Sequence, residues 1–108
     1  MRMPALSLLY IVGKLAEKKI ERALAEGEVA VELEELFETL HDLWVRRGIA
    51  LCSDFNLVLD QLKLLEAAGY LKVRRDEGKG LVLGIGVETL SELEKVIPEY
   101  VKKHLPIV

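Results

Sequence analysis

The stretch LLEAAGYLKVRRDEGKGLVLGIG, residues 64–86, changes its period partway along. Up to Ala68 its apolar positions keep helical spacing, and Gly69 permits the left-handed reversal that commonly ends a helix. From Tyr70 the pattern alternates, with Leu71 and Val73 on one side and Lys72 and Arg74 on the other, which is the period of a strand. DEGKG, residues 76–80, supplies a glycine-bearing turn. LVLGIGV, residues 81–87, supplies the return strand, in which Gly84 and Gly86 allow a bulge or a close backbone approach. The reading is a helix that runs directly into a hairpin with a basic tip.

Working back from Gly69, Ser53 is a good N-cap for a helix that extends to about Ala68. At about 100° per residue, Phe55, Val58, Leu59, Leu62 and Leu65 fall on one side and are expected in the core. Asn56, Leu57, Asp60, Lys63, Leu64 and Ala67 then face outward, with Gln61 at the margin. VRRGIALC, residues 45–52, separates this helix from the preceding one, expected over Glu32 to Trp44. There Leu33, Leu36, Phe37, Leu40, Leu43 and Trp44 recur at three- and four-residue steps and mark one buried face. EVAV, residues 28–31, reads as a short strand, and residues 4–26 read as a first helix that starts at Pro4 and stops at Gly27. Leu6, Leu8, Leu9, Ile11, Val12 and Leu15 surround the first half of that helix, so it must be covered on all sides by its own domain or by a partner chain. Beyond the hairpin, Thr89 with Glu92 forms a capping-box pattern. It opens a last helix interrupted near Pro98, with Leu90, Leu93, Val96, Ile97, Tyr100, Val101 and Leu105 apolar.

A chain of 108 residues fits a single domain, residues 1–108, and 51% hydrophobic with 31% charged residues is enough to bury a core. Cys52 is the only cysteine, which excludes an intrachain disulfide, a cysteine metal finger and a CxxC redox pair, and suits a reducing interior. One Asn and one Gln among many Glu and Lys point to a hot environment. The apolar N-terminal run is broken by Lys14, is shorter than a bilayer span and lacks a small-residue cleavage site, so no membrane segment and a cytoplasmic location are expected. A net charge of −3 argues against coating nucleic acid by bulk charge. The distribution is uneven, with nine acids against three bases from Glu17 to Asp42 and seven bases against five acids from Arg46 to Lys79.

The order helix, short strand, helix, helix, hairpin, helix resembles a winged helix-turn-helix domain. Within it LKLLEAAGYLKV, residues 62–73, looks like the recognition-helix end and first wing strand of the MarR, ArsR and PadR groups of regulators. The resemblance implies an α+β winged helix-turn-helix with extra N- and C-terminal helices. It also implies a homodimer held by the terminal segments 4–26 and 89–104, acting on double-stranded DNA as a transcriptional regulator. DNA contacts would come from Asn56, Gln61 and Lys63 on the third helix, from Arg74, Arg75 and Lys79 on the wing, and from Arg46 and Arg47 beside them. Two departures matter. A compact helix-turn-helix has a turn of about three or four residues, whereas VRRGIALC intervenes here as in PadR-like proteins, whose recognition-helix tyrosine has no counterpart. The outward face of the third helix is also poor in Arg and Lys, and Asp60 on it repels phosphate. Leu57 and Leu64 form an apolar stripe on that face, which supports the alternative of a protein–protein interaction module within a larger assembly.

Other chemistries are weaker. GKGLVLGIG fails the GxGxxG spacing because Leu83 stands at the third glycine, and it lies inside a hairpin, not between strand and helix. Cys52 sits in an apolar run and reads as a buried small residue, not as a nucleophile served by His41. His41 and His104 are isolated, so no metal site is expected, and Glu32, Glu34, Glu35 and Glu38 read as a solvated helix face. Neither catalytic residues nor a cofactor are expected.

Overall fold

A computed structural model of the chain describes residues 3–23, 27–51 and 54–105. Along them run α1 (Met3–Glu17), α2 (Ile20–Ala23), β1 (Glu28–Glu32), α3 (Leu33–Arg47), α4 (Phe55–Ala67), β2 (Lys72–Asp76), β3 (Gly80–Gly86), α5 (Val87–Val96) and α6 (Glu99–His104). The fold is α+β, with helices packed on an antiparallel sheet of order β1-β3-β2. The alternation seen in the sequence builds that sheet. Val29 pairs with Ile85, and Leu83 pairs with both Val31 and Val73, so the apolar residues of three strands share one face. Val29, Val31, Leu83 and Ile85 are buried and Val73 is half-buried beside them.

α1 is the axis of the core. It packs against α3, α4, α5, α6, β1 and β3, and its Leu8, Leu9, Ile11 and Val12 are fully buried. Fully burying each such side chain contributes about 1.5–3 kcal/mol relative to exposure. The all-round apolar helix is therefore covered by its own domain. Leu8, Ile11, Val12, Ile97 and Val101, apolar residues of the terminal segments expected to hold a dimer, are buried within the chain itself.

Several local expectations are corrected. The first helix is not continuous over 4–26: it ends at Glu17, Lys19 N–H turns back to the Ala16 carbonyl, and the Lys19 ammonium pairs with Glu35 of α3. α2 then packs along β1, a tertiary contact that local helix propensity does not contain. Residues 24–26, Cys52 and Ser53 lie outside the described residues. Asp54 acts as the N-cap of α4, accepting from Asn56 N–H at 2.9 Å. α3 runs three residues past the expected Trp44, to Arg47. Glu35 is half-buried, accepting from Glu32 N–H at 3.3 Å as well as meeting Lys19, so the glutamates of α3 are not merely a solvated face. The Thr89–Glu92 pattern does not open α5, which begins at Val87, whose N–H is bonded to the Gly27 carbonyl across the sheet edge. Pro98 does interrupt the last helix, standing as N-cap of α6. Finally, Phe55 and Trp44, expected in the core, are 51% and 62% exposed. Each lies at the end of its helix nearest the 48–51 link, beyond the reach of the core. Among the described residues no helix is long and apolar enough to cross a membrane.

Candidate nucleic-acid interface

α4 and the hairpin β2–β3 are built as one unit. At the end of α4 Gly69 has φ 87°, Gly69 N–H bonds the Glu66 carbonyl and Tyr70 N–H bonds the Leu65 carbonyl, the paired closure of a Schellman motif. The Glu66 carboxylate then accepts from Val73 N–H at 2.7 Å, which fixes the first strand of the hairpin to the helix. At the other end of β2, the Asp76 carboxylate accepts from Gly78 N–H at 2.9 Å and closes the turn, with Gly80 at φ 76°.

The outward face of α4 is as its period predicts: Asn56, Leu57, Asp60, Lys63, Leu64 and Ala67 are all exposed, and Val58, Leu62 and Leu65 are buried. Leu57 and Leu64 are 48% and 52% exposed, so no other part of the described chain covers them. Gln61 is half-buried, and its side-chain oxygen is buried without a hydrogen-bond partner among the described residues. Such an amide is poorly placed to read a base edge, whereas Asn56 is exposed at the first turn.

The cations are divided. Arg75 and Lys79 are exposed at the hairpin tip, Lys63 on α4 and Arg47 at the end of α3, none with an ion-pair partner among the described residues. Arg46 lies 3.7 Å from Asp42 in an exposed pair one helical turn apart. Arg74 is committed elsewhere: its guanidinium crosses over Gly84 of β3 to the carboxylate of Glu28 on β1. Only glycine at 84 leaves room for that crossing, since a Cβ there would collide with both partners. Lys72, not singled out from the sequence, is exposed beside Arg74 on the outer face of the sheet; the alternation that placed Arg74 outward signalled it equally.

Sequence reasoning also missed a groove where α3, the 48–51 link and the start of α4 meet. Phe37 and Phe55 stack with centroids 5.2 Å apart and planes at 11°. Trp44 stands edge-on to His41 at 6.4 Å. With Asp54 at one side, these rings line a groove of about 390 Å³ that contains no Lys or Arg among its described residues. The helical period assigned Phe37, Trp44 and Phe55 to the core and so concealed it.

Compared with known proteins, the chain matches no family model, no curated protein and no solved structure.

Proposed function

We propose that this α+β fold is a winged helix, with α1, α3 and α4 as its helical core and β2–β3 as its wing, and that it binds double-stranded DNA as a transcriptional regulator. The observation that carries this reading is the union of α4 and the hairpin: the Glu66–Val73 bond fixes α4, with its exposed face, to the first strand of a hairpin at whose tip Arg75 and Lys79 stand unpaired among the described residues. Phosphates met by these cations, by Lys63 and by Lys72 would supply most of the affinity, because electrostatic neutralisation dominates duplex binding. Titration of random-sequence duplex across a salt series tests the reading. Each phosphate contact contributes a slope of about 0.9, so roughly three to five contacts give a slope near 3–4. Binding that is absent at low salt, or that is insensitive to salt, overturns the reading.

A second reading has its own observation. Leu57 and Leu64 remain half-exposed seven residues apart on α4, while that face carries one base, Lys63, against one acid, Asp60. Such a stripe suits an apolar partner surface better than phosphate, and a protein partner within an assembly would cover it.

A further inference from the structure

We infer that the groove between α3 and α4 is a binding site for an organic cation bearing aromatic or alkyl groups, independent of any role for the hairpin in nucleic-acid binding. Its lining includes three aromatic rings, the stacked Phe37 and Phe55 and Trp44, which is 62% exposed. Leaving Phe55 and Trp44 more than half exposed is costly, and an aromatic face carries the negative end of the ring quadrupole, which attracts a cation held against it. Asp54 adds a formal negative charge at the rim. One of its oxygens accepts from Asn56 N–H, which offsets the positive end of α4, and the other has no partner among the described residues. Among the described residues no Lys or Arg lines the groove to compete with or repel a ligand cation. The groove's size, about 390 Å³, lies in the range of small-molecule sites, and its lining, mostly apolar with one carboxylate and one imidazole, matches their usual chemistry. An anion is disfavoured by the negative charge of Asp54, which a cation complements.

Trp44 is the chain's only tryptophan, so its fluorescence reports the groove directly. The probes are tetraphenylphosphonium and tetraphenylborate, which share size and shape and differ in the sign of their charge. The full chain is titrated with each at moderate salt, by fluorescence and by calorimetry. We expect the phosphonium to quench Trp44 and to bind at least about tenfold more tightly than the borate, as a desolvated cation against aromatic faces and a carboxylate requires. Asp54→Asn should cost the phosphonium about tenfold with the melting temperature unchanged, since Asn caps a helix as well as Asp does. Trp44→Leu, followed by calorimetry, should weaken the phosphonium similarly. Equal affinities for the two probes, or an Asp54→Asn variant that binds phosphonium as tightly as before, would overturn the proposal in favour of a merely apolar surface. Absence of quenching and of heat with either probe would remove the site altogether.

Discussion

Two glycines, each facing a side chain at close range, are expected to respond oppositely to the same added methyl. At Gly84 the new Cβ meets the Glu28 carboxylate and the Arg74 guanidinium, the outer ends of flexible side chains on the solvent side of the sheet. Both can swing away, so Gly84→Ala should break the Arg74–Glu28 pair yet alter stability by no more than about 1 kcal/mol, the usual worth of an exposed ion pair. The released Arg74 would then join Arg75 and Lys79, and duplex DNA binding should strengthen and steepen in its salt dependence. A filter-binding series run beside thermal melting checks both expectations. At Gly13 a Cβ would lie 2.6 Å from Cδ1 of the buried Leu93 in the seam between α1 and α5, so Leu93 must shift among packed neighbours. Overpacking there costs about 1–3 kcal/mol, only partly offset by the gain of up to about 1 kcal/mol from replacing glycine in a helix. Gly13→Ala should therefore lower the melting temperature by several degrees.

The elements differ in how far the sequence exposes them. The α4–hairpin unit was legible because its periods are local: the helical spacing ending at Gly69 and the alternation after Tyr70 concern neighbours in the chain. The α4 face was likewise read correctly at Val58, Leu62 and Leu65 and at the six outward positions. What escaped reading depends on partners far away in sequence. Where α1 breaks, Lys19 pairs with Glu35, and where α5 starts early, Val87 N–H bonds the Gly27 carbonyl, and no local pattern contains either partner. Phe55 and Trp44 obey the period but sit past the end of the core, so the wheel placed them correctly by angle and wrongly by depth. Of the candidate DNA contacts, the tip residues Arg75 and Lys79 are exposed with no ion-pair partner among the described residues, whereas Arg74 is paired with Glu28 of β1, a strand that residues 64–86 alone do not reveal. Two element-level outcomes follow from this packing. Glu35→Ala should cost about 1–2 kcal/mol, through loss of both the Lys19 pair and the bond from Glu32 N–H, while Glu34→Ala, exposed one residue earlier, should stay within about 0.5 kcal/mol. Ile11→Asp should unfold the chain outright, seen as loss of the cooperative melting transition, because Ile11 is fully buried in the core.

At the scale of the whole molecule, the two readings of function make opposite demands on the α4 surface, and Leu57 with Leu64 decides between them. Because both are about half-exposed, neither is held by the terminal helices of its own chain. Replacing both by Lys therefore removes little packing, and the double variant should remain folded, with stability changed by about 1 kcal/mol at most. Were the surface to face duplex DNA, the two new ammonium groups would stand beside phosphates already approached by Lys63. Affinity for random duplex should then rise and the salt slope should increase by up to about two units. Were it to dock on protein, the same charges would be pushed into an apolar contact, and their desolvation, several kcal/mol, should abolish association while leaving salt-dependent DNA binding absent before and after. The measured sign of the change in DNA affinity separates these outcomes, and melting temperature serves as the control for folding. A folded double variant whose DNA affinity is unchanged removes α4 from the DNA contact and leaves the hairpin alone to support it. The substitutions Arg75→Ala and Lys79→Ala then measure that remaining contribution: if DNA is the partner, each should weaken binding to all sequences alike and lower the salt slope by about one unit.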